Sequence, residues 1–393
     1  MTLFRLLAAA VLCLIALPAA AQTAAKAPSG SQIVASADSP SKIVHVDVTL
    51  NPEGRVGYIV SRQGKPVIGE SRLGFLFTDA SQLLRNFAVA GQSTRSFDEA
   101  WEEPWGEYRT IRNHFNELTV SFDESKAPKR RMTVVFRLFD DGIGFRYQLP
   151  SVPGFTHANI ADELTEFNIA EPGTAWWDEG REWNRAEYLY RRTPIEEIGF
   201  AQTPLTIRTA SGLHLSIHEA ALVDYSSMDL RRVADRVLKA NLMPSSTGPK
   251  VSRDLPLATP WRVIMIAPDA PALYKSAQII LNLNEPNKLG DISSWFKPMK
   301  YVGIWWAMHL DEATWNSGPK HGATTANAER MIDFAAKNGF GGVLVEGWNK
   351  GWDGDWFGNG WDFSFTQAYP DFDVPAVAAY ARKKGRSEER ERV

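Results

Sequence analysis

The stretch RMTVVFRLFDDGIGFRYQL, residues 131–149, decides the fold of the first part of the chain. Two runs rich in β-branched and aromatic residues lie on either side of Asp140-Asp141-Gly142. β-Branched and aromatic residues favour strands, whereas Asp and Gly favour turns. The pattern therefore predicts two antiparallel strands joined by a tight turn.

Strand patterns of the same kind occur on both sides of this hairpin. In KIVHVDVTL, residues 42–50, apolar and polar residues alternate with the period of a half-buried strand. A second hairpin is predicted to turn at Gln63-Gly64, and further strand-like runs cover residues 213–222 and 260–268. Because no long amphipathic helix interrupts these patterns, we expect an N-terminal β-sandwich domain over residues 43–293.

The pattern changes after Trp295, where two continuous apolar runs follow one another. YVGIWW (residues 301–306) and GGVLVEGW (residues 341–348) are typical of strands buried on both faces of a parallel sheet. A helix is predicted between them, with Thr325 as its N-cap and Gly339 just after its last turn.

A second helix is predicted over residues 373–385, ended by Gly385. Strand, helix, strand, helix is the opening of a parallel α/β fold, so residues 294–393 are interpreted as the first part of a (β/α)8 barrel. A complete barrel needs about 250 residues. Residues 386–393 carry six charges and cannot form the next barrel strand. We therefore favour a truncation or a shifted reading frame over the alternative, a small doubly wound domain with a solvated tail.

The composition excludes some classes of partner. The formal net charge is −3 and the pI is about 6.2, which gives no electrostatic basis for binding nucleic acid or an anionic membrane. The oligomeric state is not predicted by any pattern in the chain.

The N-terminus has the pattern of a secretory signal over residues 1–21. Arg5 precedes an apolar run that is too short for a comfortable membrane span, and small residues follow it. The single cysteine, Cys13, lies inside this segment, so we expect no disulfide framework in the exported protein. A periplasmic or secreted protein without a membrane anchor is predicted, with a flexible lead-in over residues 22–42.

Tryptophan, glycine and acidic residues are concentrated in EGWNKGWDGDWFGNGWD, residues 346–362. This segment follows the second predicted barrel strand, and the carboxyl ends of such strands carry the ligand. Aromatic faces stack on sugar rings, and carboxylates bind their hydroxyls, so a carbohydrate site is one interpretation. Packing of the tryptophans under a long loop is the other, and composition leaves the two equally open.

Several longer motifs together resemble glycoside hydrolase family 97, and they run in unbroken order over residues 43–385. They are WGEYRTIRNHFNEL (105–118), FRLFDDGIGFRY (136–147), IHEAALVDY (217–225), TPWR (259–262), LNLNEP (281–286), SWFKPMKYVGIWW (294–306), IDFAAKNGFGGVLVEGWN (332–349) and YPDFDV (369–374).

The resemblance implies a β-sandwich followed by a (β/α)8 catalytic barrel and an α-glucosidase or α-galactosidase activity assisted by calcium. It implies that Glu187 is a calcium ligand, and that Glu346, Trp305 and Trp348 contact the oligosaccharide substrate. It places the catalytic carboxylates beyond Val393, so a chain that ends there is expected to be inactive.

Three functions are therefore open. The first is a glycoside hydrolase that cleaves α-glucosidic bonds in its intact form, with α-galactosides as the alternative substrate. The second is a non-catalytic carbohydrate-binding protein, and the third is a nonfunctional fragment of an interrupted gene.

Overall fold

The computed structural model describes residues 30–180, 188–246, 248–354, 358 and 362–391, and of residues 386–391 it describes the backbone alone. The chain divides into two compact units, Met1–Asn287 and Lys288–Val393. The predicted signal segment lies outside the described residues.

The N-terminal unit is built almost entirely from strands. In chain order they are β1 (Gln32–Asp38), β2 (Val44–Leu50), β3 (Val56–Arg62), β4 (Lys65–Arg72), β5 (Phe75–Phe77), β6 (Phe87–Glu102), β7 (Thr110–Glu124), β8 (Arg131–Phe139), β9 (Gly142–Leu149), β10 (His157–Glu163), β11 (Glu166–Ile169), β12 (Gly173–Trp177), β13 (Arg191–Pro194), β14 (Phe200–Ala201), β15 (Leu205–Thr209), β16 (His214–Ala220), β17 (Met228–Ala234), β18 (Val237–Leu242), β19 (Val251–Asp254), β20 (Leu257–Ala258) and β21 (Trp261–Ala267). The helical segments are a 3-10 turn (Ile195–Glu197), α1 (Ala270–Lys275) and α2 (Gln278–Leu283).

Two large antiparallel sheets form a sandwich. One has the order β1-β2-β3-β4-β11-β18-β17-β14, and the other has the order β13-β12-β15-β16-β21-β9-β8-β7-β6, with β20 beside β9. A small third sheet has the order β19-β10-β5. The inner faces of the large sheets share one core, in which the rings of Tyr58 and Phe145 lie 4.8 Å apart. The predicted N-terminal β-sandwich is confirmed.

Both predicted hairpins are present. Gln63 and Gly64 join β3 to β4 with positive φ angles of 49° and 76°, as a two-residue turn matched to the twist of the strands requires. Asp140 and Asp141 form a second two-residue connection, which joins β8 to β9 with Phe139 paired with Gly142.

The predicted flexible lead-in over residues 22–42 is too long. Residues 32–38 form β1, an edge strand that pairs with β2. The strand was missed because main-chain pairing alone holds much of it: only Ala35 is buried, and a register shift between Ile33 and Ala35 disturbs the alternation.

Helix α2 covers the outer face of the larger sheet, and two glycines of the 131–149 hairpin allow it to lie close. A Cβ atom on Gly142 would lie 2.8 Å from Cδ1 of Ile279, and one on Gly144 would lie 2.5 Å from Cδ1 of Leu283. Such distances are shorter than van der Waals contact, so this packing requires glycine at both positions.

A fully buried ion network crosses the N-terminal unit. The guanidinium of Arg262 on β21 donates to both carboxylate oxygens of Glu163 at 2.9 and 2.6 Å, and to Glu219 on β16 at 2.6 Å. Thr165 donates to Glu163 at 2.6 Å, and the backbone N–H of Met228 donates to Glu219 at 3.0 Å. Burial acts to lower the pKa of Arg262, but the two carboxylates outweigh it and hold the pKa above its ordinary value. Burial raises the pKa of Glu219, against the opposing charge of Arg262.

The C-terminal unit contains β22 (Tyr301–Gly303), α3 (Trp306–His309), α4 (Thr325–Lys337), β23 (Gly342–Leu344) and α5 (Val374–Glu391). The two strands pair in parallel, which is the arrangement of two neighbouring strands of a barrel. The fold class, a β-sandwich followed by the start of a (β/α)8 barrel, is confirmed.

Three details of this unit differ from the sequence prediction. The strand predicted over residues 301–306 ends at Gly303, and Trp306 begins a helical turn instead. The strands are not buried on both faces, since Tyr301 is 57% exposed. Helix α5 continues beyond Gly385, because one helical glycine costs only about 1 kcal/mol and the charged residues after it favour helix.

Helix α4 is capped one residue earlier than predicted. The hydroxyl of Thr324, not Thr325, accepts a hydrogen bond from the N–H of Asn327 at 3.2 Å. Gly339 follows the last turn with a φ of 70°, as predicted for the residue after the helix. Across the described ranges, no helix is both long and apolar enough to cross a bilayer.

Candidate functional site

The pairing of β22 with β23 places Trp305 and Glu346 at equivalent positions beyond the strands. Gly303 is opposite Leu344, and the N–H of Ile304 still donates to the carbonyl of Leu344 at 3.3 Å. Trp305 and Glu346 each follow two residues after this last pair. They therefore lie at the same carboxyl edge, where parallel α/β sheets bind their ligands.

The indole of Trp305 folds back over the end of its own strand. A Cβ atom on Gly303 would lie 2.5 Å from Nε1 of Trp305, so only glycine leaves room for this orientation. The ring contacts Trp306 and His309 edge to face, with centroids 5.4 and 5.2 Å away. Trp305 is half-buried, whereas Trp306 is 61% exposed.

Further aromatic rings continue this cluster. The rings of His309 and Trp315 lie 5.6 Å apart, and those of Trp315 and Trp352 stack in parallel at 4.9 Å. Phe363 meets the edge of Trp352 at 5.3 Å. Because Trp315 and Trp352 cover each other's faces, the indoles of the 305–306 pair are better placed to stack on a sugar ring.

Glu346 presents a half-buried carboxylate at this edge. Within the part of the chain that the structure describes, no hydrogen bond or ion pair occupies its oxygens. The next residue, Gly347, has a left-handed φ of 85°, and a Cβ atom there would lie 3.0 Å from the carbonyl oxygen of Trp315. The turn that carries Glu346 is thus closely confined.

Trp348 makes contacts of another kind. Its ring lies 5.9 Å from that of Phe372, and it packs against the small core formed by Ile304, Met308 and Ala323. Of the three residues predicted to contact sugar, Trp305 and Glu346 lie at equivalent positions at the strand ends, while Trp348 packs against the small core.

The tryptophan-rich segment after Glu346 folds back on itself. The side chain of Asn349 donates to the carbonyl of Ser364 at 2.8 Å and accepts from Nε1 of Trp352 at 3.2 Å. Asp353 accepts from the N–H of Ser317 at 3.0 Å. Part of this segment, residues 355–357 and 359–361, lies outside the described residues.

Glu187, the predicted calcium ligand, also lies outside the described residues. Among the residues that are described, no group of three or more His, Cys, Asp or Glu side chains is arranged to hold a metal ion. Calcium takes six to eight oxygen ligands. The described side chains therefore do not by themselves form a calcium site.

A cavity of about 200 Å³ in the N-terminal unit is not a competing site. Its charged lining residues include Arg72, Glu166 and Lys239, and these are already paired in ion pairs. Because these charges are paired with each other or with Asp162, none of them is available as a free acid or base.

One residue near the site was missed by the sequence reasoning. His321 is buried and bonds both Asp371 and the carbonyl of Gly347. No motif signals it, because its partners lie 50 and 26 residues away.

Comparison with known families gives two matches along the chain. Residues 37–286 match the family described as Glycosyl-hydrolase 97 N-terminal, and residues 305–388 match the family described as Glycoside hydrolase 97. The first match covers most of the sandwich, and the second begins at Trp305, just after β22, and includes Glu346.

Two solved structures and one curated relative to which the chain is similar are described as enzymes. A glycoside hydrolase family 97 enzyme from Pseudoalteromonas sp. strain K8, solved in complex with panose, is 45% identical, with a TM-score of 0.84 over 89% of this chain and 53% of that one. An enzyme of the same description in complex with acarbose has the same identity, coverage and TM-score. A probable retaining α-galactosidase from Streptomyces bingchenggensis (strain BCW-1) is 26% identical over 83% of this chain and 47% of that protein.

The chain spans about half the length of the curated relatives it matches. The family matches nevertheless extend over both of its units, and the first of them alone covers more than half of the 393 residues. The chain belongs to glycoside hydrolase family 97.

Proposed function

We propose that this chain binds α-glucosidic oligosaccharides at the edge that carries Trp305 and Glu346, as part of a hydrolase of α-glucosidic bonds. The single observation behind the proposal is the register of β22 and β23, which sets Trp305 and Glu346 at equivalent positions beyond two neighbouring strands. The ring can stack on the C–H face of a sugar, and the carboxylate can accept hydrogen bonds from its hydroxyls.

Sequence identity favours glucosides over galactosides. The similar enzyme that was solved with panose, an oligosaccharide of α-linked glucose, is 45% identical to this chain. The curated relatives, which are named as retaining α-galactosidases or probable ones, are 26% and 22% identical. An α-galactoside therefore remains the second candidate substrate class.

Glu346 is assigned to substrate binding rather than to catalysis. Hydrolysis of a glycosidic bond requires two carboxyl groups that flank the bond, one as the acid and one as the base or nucleophile. Glu346 is one carboxylate at the strand edge that also carries Trp305, an arrangement suited to holding a sugar. We further propose that the protein is exported, in keeping with the signal pattern of residues 1–21.

Two substitutions test the sugar site. Glu346→Gln is expected to weaken panose binding about tenfold or more, because a hydrogen bond to a charged group contributes about 1.5–3 kcal/mol. Trp305→Ala should weaken it to a similar extent through loss of the stacking surface. Isothermal calorimetry with panose, and with melibiose as the galactoside, measures both effects. Glu329→Gln, a half-buried carboxylate on α4, is the control. If both site variants bind panose as tightly as the unsubstituted chain and the control do, Trp305 and Glu346 do not form the sugar site. Tighter binding of melibiose than of panose would favour a galactoside substrate.

We also propose Glu187 as a calcium ligand. For this chain we expect calcium binding no tighter than the millimolar class, because the ion requires six to eight oxygens and the resemblance assigns it one carboxylate here. Calorimetric titration of calcium into the chain and its Glu187→Gln variant measures this. Micromolar binding that is lost in the variant would show a more complete site around Glu187 than we propose.

A further inference from the structure

We propose that His321 is a positioning residue for Glu346, an inference that rests on the proposed function. Its side chain is fully buried. Nδ1 lies 2.7 Å from a carboxylate oxygen of Asp371, and Nε2 lies 2.9 Å from the carbonyl oxygen of Gly347. The ring therefore joins the residue directly after Glu346 to a segment that lies before α5.

Both partners of the imidazole are hydrogen-bond acceptors. A carbonyl oxygen can only accept, so Nε2 donates to Gly347, while Nδ1 pairs with the carboxylate of Asp371. The orientation of the ring is fixed further by Tyr369, which meets it edge to face at 5.5 Å. His321 therefore has one ring orientation in which both nitrogens are hydrogen-bonded and the ring packs on Tyr369.

Asp371, the partner of Nδ1 of His321, is itself held in place. The main-chain carbonyl of Asp371 accepts hydrogen bonds from the N–H and the hydroxyl of Thr325, at 3.0 and 3.2 Å, in the first turn of α4. An unbroken chain of hydrogen bonds therefore runs from α4 through Asp371 and His321 to Gly347. Helix α4 is the longest described element packed beside β22 and β23, so it is a rigid support.

The hydrogen bond from His321 to the carbonyl of Gly347 acts on Glu346 through the main chain. No described side chain bonds the carboxylate of Glu346, so its direction is set by the backbone of the Glu346-Gly347 turn. A group that recognises sugar hydroxyls must be held to within about 0.5 Å. We infer that His321, by holding the carbonyl of Gly347, provides this precision.

The test compares variants of the full chain by hydrogen–deuterium exchange and by panose calorimetry. His321→Gln cannot donate to both acceptors, and Asp371→Leu removes the partner of Nδ1. Both are expected to speed exchange at least tenfold in peptides covering residues 345–353 and 367–373, with α4 unchanged, and to weaken panose binding at least fivefold. Asp371→Leu also serves if His321→Gln does not fold, because Asp371 lies near the surface.

A conservative variant separates positioning from general stability. In Asp371→Asn the side-chain amide can donate to Nδ1 of a neutral ring while Nε2 still bonds Gly347, so exchange and affinity should stay within twofold of the unsubstituted chain. His157→Gln, at an exposed histidine of the N-terminal unit, is the control.

If hydrogen–deuterium exchange is unchanged in both His321→Gln and Asp371→Leu, His321 does not hold the loop at Gly347. Faster exchange with unaltered panose affinity would overturn the positioning role. If the unsubstituted chain binds no panose, the proposed function fails instead, and the exchange rates alone decide whether His321 holds the loop.

Discussion

Arg262→Met is expected to lower the free energy of unfolding of the N-terminal unit by about 3–5 kcal/mol, because removing one member of a buried ion network leaves uncompensated charge inside the protein. Methionine replaces the unbranched part of the arginine side chain up to Nε, so the main change is the loss of the guanidinium charge and its hydrogen bonds. The substitution removes the positive partner of two buried carboxylates, those of Glu163 and Glu219. Their remaining partners are the hydroxyls of Thr165 and Tyr225 and the N–H of Met228.

Urea denaturation at pH 7, followed by the fluorescence of the N-terminal unit, measures this change. The matched control is Arg131→Met, which breaks an ion pair with Asp123 whose side chains are both more than 40% exposed. Exposed pairs contribute about 0–1 kcal/mol, so the control should be close to the unsubstituted chain. Equal effects of the two substitutions would show that the buried network is not the source of stability described above.

The β-sandwich was predictable because its strands alternate in the sequence as they do in space. The pattern around Gln63-Gly64 and Asp140-Asp141 specifies both the strands and the turns that join them, and each is a local property of a few residues. β1 was not predicted because it is an edge strand with one buried side chain, and main-chain hydrogen bonds make its pairing with β2.

The error at Trp305-Trp306 has a different cause. A short apolar run does not distinguish a buried strand from a helical turn by periodicity alone, and here the strand stops at Gly303. Trp305 and Glu346 could still be placed at the carboxyl edge, since both follow their strands within a few residues whichever structure comes next.

The networks of Arg262 and His321 could not be predicted from spacing. Arg262 bonds carboxylates 99 and 43 residues away, and His321 bonds a carboxylate 50 residues away. Each contact depends on the tertiary fold, and a single Arg or His has no pattern of its own. Arg262 lies in the motif TPWR, whereas His321 lies outside every quoted motif, and the bonds that each makes appear only in the folded chain.

The second large effect is expected at Gly142, the first residue of β9. A Cβ atom there would lie 2.5 Å from the carbonyl oxygen of Ile264 and 3.0 Å from Cα of Met265, both on β21. Those are backbone atoms of the paired strand, so they cannot rotate away as a side chain can. A third contact, at 2.8 Å, is with Ile279 of α2 on the outer face of the sheet.

Gly142→Ala should therefore destabilise the N-terminal unit by up to about 3 kcal/mol, the upper part of the range for overpacked interiors. The strand pair or the helix must shift to admit the methyl group. Gly91→Ala is the matched control, because a Cβ atom on Gly91 meets nothing within 4 Å and its φ is not left-handed. That substitution should be neutral or stabilise by about 0.4–1 kcal/mol, since alanine restricts the unfolded chain. Urea denaturation of both variants measures the difference, and a Gly142→Ala protein as stable as Gly91→Ala would mean that β9, β21 and α2 are packed less closely than the structure shows.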